Sequence, residues 1–105
     1  MATTINEKDG LLTVINVFTV EPDQQQTLVD HLVSNLATAT KQEGFVSANI
    51  HKSLDGTRVI NYAQWKSKEA LELALQNQEF MAPVKVAVEH PHDFHMYEVV
   101  HTIQA

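Results

Sequence analysis

The sequence predicts an α+β domain, one antiparallel sheet covered on a single face by helices. Three observations carry that expectation. Leu11 to Val20 is a β-branched run that is apolar on both faces. Asp55-Gly56 sits between two alternating runs where a hairpin turn belongs. Amphipathic helical stretches stand before and after that hairpin.

The first ten residues, MATTINEKDG, are polar and read as a tail or short lead-in. In LLTVINVFTV, residues 11–20, one face carries Leu12, Val14, Asn16, Phe18 and Val20, and the other Leu11, Thr13, Ile15, Val17 and Thr19. A strand apolar on both faces is central in its sheet and covered on both sides. Glu21-Pro22-Asp23 then opens a helix, with Asp23 as cap and Gln26 completing a capping box. Its apolar stripe is Leu28, Val29, Leu32, Val33, Leu36 and Ala37, and Gly44 lies past its end.

Asp55-Gly56 suits a type I′ turn, which needs positive φ at both central positions. With a loop of two or four residues, Ile50 faces Asn61 and Val46 faces Trp65. One face of the hairpin then reads Val46, Ala48, Ile50, Val59, Asn61, Ala63, Trp65, apolar apart from one amide and one indole N–H. The other reads Ser47, Asn49, His51, Ser53, Arg58, Ile60, Tyr62, Gln64 and is mostly polar.

Ser67 caps a helix from Lys68 to about Gln76, with Glu69 in its first turn and Ala70, Leu71, Ala74 and Leu75 inward. Gln78 to Glu89 is a further helix whose limits Pro83 obscures. His90-Pro91-His92 reads as a loop, and Phe94 to Ile103 as the last strand. The order β, α, β, β, α, β with an extra short helix is the ferredoxin-like split βαβ arrangement. Helices cover one sheet face, so the half-apolar outer face predicts a homodimer in which two sheets pack together.

At 105 residues the chain makes one domain that needs no disulfide or metal to fold. It has no cysteine, which excludes thiolate catalysis and sulfur-ligated zinc. No stretch reaches the roughly 18 apolar residues of a membrane span, and no secretory signal is visible, so a cytoplasmic location is expected. A net charge of −6, without a basic run, argues against a nucleic-acid partner. A small organic molecule or a second copy of the chain fits better.

Asn16, Asn61 and Trp65 fall on the sheet face under the helices. A cleft there, walled by Val14, Phe18, Ile50, Ala63, Leu71 and Phe80, would suit a flat aromatic ligand. The competing explanation is purely structural: Trp65 as a core aromatic at a strand end and the two asparagines bonded to backbone.

The segment Ser53 to Ala70, SLDGTRVINYAQWKSKEA, with Gly44-Phe45 before it, resembles the central motif of the antibiotic biosynthesis monooxygenase family. The resemblance extends from about Leu11 to Val100, and makes residues 11–105 a single domain of that kind after a tail of residues 1–10. It implies a dimeric α/β barrel. It also implies oxidation of an aromatic or polyketide-like substrate by O2, as in members that turn phenols and anthrones into quinones without metal or flavin. Their catalytic Asn and Trp match Asn61 and Trp65. Their tyrosine six residues after the Trp is replaced by Leu71, and their arginine on the later helix by Lys85, which keeps the charge but loses the planar fork. Asn16, Phe18, Leu71, Phe80 and Lys85 are the substrate-binding candidates. A haem-degrading branch uses an Asn matching Asn16, but its Trp and its iron-binding His read Ala74 and Val84, leaving no axial ligand. No cofactor is therefore expected.

His90, His92 and His95 are close in sequence, yet a His-x-His loop is weakly diagnostic of metal and is read as exposed loop. His51, on the polar sheet face, reads as a structural or pH-sensitive interface residue, and His101 likewise. Two further readings stay open: a non-catalytic ligand-binding or stress-related protein of the same fold, favoured by Leu71, and a relative acting on a small metabolite through a histidine.

Overall fold

The computed structural model describes residues 2–105. Its elements are β1 (Leu12–Thr19), a 3-10 turn (Pro22–Gln24), α1 (Gln25–Ser34), α2 (Leu36–Ala39), β2 (Phe45–Lys52), β3 (Arg58–Trp65), α3 (Lys68–Leu75), α4 (Gln78–Ala87) and β4 (His92–Glu98). The strands form one antiparallel sheet in the order β2-β3-β1-β4, the expected ferredoxin-like topology. The doubly apolar β1 is central. Val14, Asn16 and Phe18 are buried on the face beneath the helices, whereas Ile15 and Val17 are half-buried on the outer one.

Local chemistry departs from expectation in several places. Asp23 does not cap α1. Pro22 instead starts a 3-10 turn that runs into the helix, and no side chain accepts at the N-cap. The Gln25 amide is occupied elsewhere, donating to the Ser53 and Arg58 carbonyls at 3.0 and 2.9 Å, which ties the helix start to the hairpin mouth. The helical phase breaks at Asn35, so Val33 and Ala37 of the expected stripe are exposed and Ala39 is buried instead.

The hairpin keeps the register expected of a four-residue loop, Ile50 opposite Asn61, but its turn is not type I′. Within the turn only Gly56 has a positive φ, at 82°, and Ser53 O accepts from Gly56 N at 3.2 Å. The Asp55 carboxylate takes hydrogen bonds from the Thr57 hydroxyl, the Ser53 hydroxyl and the Thr57 N–H, which hold its pKa down at about 2. At the far end a bulge between Phe45 and Ser47 puts Phe45, not Val46, opposite Trp65. Val46 is consequently exposed.

Ser67 caps α3 as expected, accepting from Ala70 N at 3.1 Å, and Asn77 caps α4 through Phe80 N at 3.0 Å. Helix α4 continues through Pro83 although proline removes one rung of its ladder. The Pro83 carbonyl accepts from His31 Nε2 at 3.0 Å, pinning α4 to α1. β4 begins at His92, earlier than expected, and ends at Glu98, so His92 is strand and His101 is not. The N-terminal residues are docked: Thr3 Oγ1 donates to Asn49 Oδ1 at 2.7 Å, and Gln64 Nε2 to Thr4 O at 2.8 Å. That strap covers part of the helix-free face and leaves Gln64 only 2% exposed.

The core divides into two clusters. Val14, Ala63, Trp65, Leu71 and Ala74 form one, and Phe18, Val20, Leu28, Val59 and Ala87 the other. Along β1 and β3 the row between them is Asn16 and Asn61.

Candidate active site

A cavity of about 420 Å³ lies between the sheet and the helices, within the roughly 300–1,000 Å³ usual for small-molecule sites. Its walls are overwhelmingly apolar. Val14, Phe18, Ile50, Ala63, Leu71 and Phe80 all line it, as the sequence predicts, together with Asn16, Asn61 and Trp65.

The polar groups stand where the two core clusters part. Asn16 and Asn61 are paired directly across β1 and β3, and the Oδ1 atom of each is buried with no hydrogen-bond partner. The structural explanation, asparagines whose oxygens are bonded to backbone, therefore fails for both. Among the described residues the other such atom, Thr13 Oγ1, is on the opposite sheet face. Leaving a buried acceptor unpaired costs about 1–3 kcal/mol, and here two stand side by side in an apolar chamber.

Trp65 is 3% exposed and set between two phenylalanines. Phe45 meets its indole edge-to-face at 5.4 Å and Phe80 at 5.9 Å. The bulge at Phe45 and the Asn77 cap before Phe80 thus fix the indole from two sides.

Lys85 is not brought to this site. It is exposed on α4, whose inner side presents Phe80, Val84 and Ala87 to the cavity, with Val88 just past the helix end. Leu71, at the position of the family tyrosine, is buried on the wall. Tyr62 and Tyr97 lie on the outer sheet face, paired with Ile15 and Thr13. His51 is also there, exposed, with Nδ1 3.3 Å from the Asn49 carbonyl. Among the described residues no group of three or more His, Cys, Asp or Glu side chains is arranged to hold a metal. His92 and His95 point to opposite sheet faces, and His95 Nε2 contacts Asp93 at 2.7 Å.

Several lining residues escaped the sequence reading, chiefly Phe45, Asn35, Phe94 and His92. The signal for the last two was present. His92, Phe94 and Met96 alternate with one another, and only Pro91 concealed that the strand begins there. Opposite Phe18 in the register, His92 is the one titratable side chain among the described residues that line the cavity.

A model of the antibiotic biosynthesis monooxygenase family matches residues 11–86. The chain is 47% identical over 66 residues to tetracenomycin F1 monooxygenase of Streptomyces glaucescens, a match covering 62% of this chain and 59% of that relative. It is 25% identical to the ActVA-Orf6 monooxygenase of Streptomyces coelicolor, solved with nanaomycin D, with a TM-score of 0.75 over 91% of this chain and 92% of that one. Against SnoaB, a cofactor-independent oxygenase from Streptomyces nogalater, identity is 20% and the TM-score 0.76, over 91% and 99% of the two chains, a likeness of fold.

Proposed function

The chain belongs to the antibiotic biosynthesis monooxygenase family, and from that membership we propose that it oxidises a polycyclic, phenol-bearing aromatic substrate with O2 and no cofactor. The observation that carries the reading is the Asn16–Asn61 pair, two unpartnered carboxamide oxygens in an apolar cavity beside Trp65.

An anthrone methylene supplies its own electrons. Loss of a proton leaves an anion delocalised onto the ring oxygen, which passes one electron to O2. The two radicals combine, and the peroxide loses water to give the quinone carbonyl, so that CH2 plus O2 becomes C=O plus H2O. The protein's part is to hold the rings away from bulk water and stabilise the anion. Asn61 and Trp65 would donate to the developing oxyanion. The Oδ1 atoms of Asn16 and Asn61 would accept neighbouring phenolic O–H groups, since a carboxamide offers both an acceptor and donors. Phe18, Leu71 and Phe80 would enclose the ring faces.

A homodimer formed through the helix-free sheet face is part of the same proposal, and light scattering at several protein concentrations tests it. For the reaction, oxygen uptake with a series of hydroxylated anthrones is the measurement, with 18O2 followed into the quinone by mass. Uptake that vanishes in Trp65→Phe supports the oxygenase. Binding without uptake across the series would instead support a non-catalytic ligand carrier.

A further inference from the structure

Resting on that oxygenase reading, we propose that His92 is the base that takes the substrate's proton. The reaction begins with proton loss, and neither carboxamide nor indole can accept a proton near neutral pH. Leu71 offers nothing in place of the missing phenol. Among the described residues His92 is the one of the cavity lining that can, and none of the others there supplies a carboxylate, imidazole, amine or phenol.

Its geometry suits the task. His92 Nδ1 lies 2.9 Å from the His90 carbonyl oxygen. A carbonyl only accepts, so in the neutral imidazole Nδ1 carries the hydrogen and Nε2 the lone pair, the tautomer a base requires. The backbone beneath is held by Thr19 N donating to Pro91 O at 2.8 Å. On the cavity side the Phe18 ring stands 6.1 Å from the imidazole, centroid to centroid, and is its cross-strand neighbour. Asn16 faces Phe94, two residues along β4, so His92 is its diagonal neighbour at about 7–8 Å between backbones. That separation lets a flat ring system rest its oxygen on the asparagine pair while its methylene approaches Nε2. His92 is also solvent-exposed while lining the cavity, so the proton it takes can pass to water.

In the balanced step, the methylene C–H bond breaks, its electron pair remains on the ring system, and a new N–H bond forms at Nε2. O2 then receives the electrons as described above.

The test separates proton removal from oxidation. Anthrone deuterated at its methylene is incubated anaerobically with the full chain, and deuterium loss is followed by mass. The wild type should exchange faster than buffer. His92→Gln should exchange at the buffer rate, lose roughly 100-fold or more in kcat under oxygen with KM changed less than about threefold, and recover with added imidazole. Anthrone binding, read from the fluorescence of Trp65, should be unchanged in the variant, which shows the site is intact. Wild-type exchange no faster than buffer, or undiminished exchange and turnover in His92→Gln, would overturn the assignment. Accelerated exchange that His92→Gln abolishes, without oxygen uptake, would keep His92 as the base and remove the oxygenase reading instead.

Discussion

Asn16 and Asn61 are direct antiparallel partners on the two central strands, and the carboxamide oxygen of each is buried without a partner. In a strand pair chosen for stability alone, aliphatic residues would occupy both positions and join the two core clusters. Under the proposed function that cost is carried for binding. Asn61→Leu should raise the urea midpoint by the equivalent of about 1 kcal/mol or more while abolishing oxygen uptake. A phenolic ligand should raise the Tm of the wild type and not of the variant. A variant both destabilised and active would remove the asparagine pair from the proposed mechanism.

The proposed function gives Trp65 two roles that different substitutions separate. Its bulk fills the space between Phe45 and Phe80, so Trp65→Ala should cost about 3–5 kcal/mol in chemical denaturation. Trp65→Phe keeps a ring in that slot and should cost far less, yet it removes the N–H. Circular dichroism close to wild type together with lost quinone formation is the expected result.

Lys85 makes the reverse prediction. Its side chain is exposed on α4, away from the residues that line the cavity. Lys85→Met should leave kcat and KM within about twofold of wild type at physiological salt, where exposed charges are screened within about 8 Å. A large rise in KM would show that the charge reaches the substrate by long-range attraction or by movement of α4.

Gly44 joins the helical segment to β2 with a φ of 85°, and its carbonyl accepts from Lys66 N at 2.8 Å. A Cβ there would collide with the Ala70 side chain at the start of α3. Gly44→Ala thus combines left-handed strain of about 1–2 kcal/mol with a clash against a helix that supplies Leu71 to the cavity wall. A fall in thermal midpoint accompanied by weaker anthrone binding is expected. Lost stability with unaltered binding would show that α3 yields without disturbing the wall.

The parts of this architecture legible in the sequence are those governed by period and pairing. Alternation placed Asn16, Asn61 and Trp65 on one face, and hairpin register put Ile50 opposite Asn61, because a single-residue slip would have turned the apolar set outward. The legible features end where an isolated residue breaks the period. The bulge that exchanges Val46 for Phe45 has no composition signal of its own. Counting along the family motif gives Lys85 a functional position, but the phase of α4 from its Asn77 cap sets Val84 inward and Lys85 outward. His92 was concealed by Pro91, a residue that favours a loop yet is tolerated immediately before an edge strand. The docking of Thr3 and Thr4 onto Asn49 and Gln64 depends on hydrogen bonds between residues distant in sequence, which a polar lead-in does not announce.

Asp55 gives the hairpin a defined pH dependence. Three hydrogen bonds to its carboxylate lower its pKa from the ordinary 3.8 to about 2, with the Thr57 hydroxyl the largest contributor. A depressed carboxylate favours the folded state fully above the unfolded value, and that contribution fades as pH falls from about 4 and is gone below about 2. Asp55→Asn carries no charge at any pH. Thermal midpoints of wild type and variant should therefore differ by a constant amount from pH 7 down to about 5, and converge between pH 4 and 2. Because Gln25 links this loop to the start of α1, the difference should show in the global unfolding transition, not only in local loop exchange. A gap that stays the same down to pH 2 would mean that the side-chain geometry of the turn, and not its charge, provides the stabilisation.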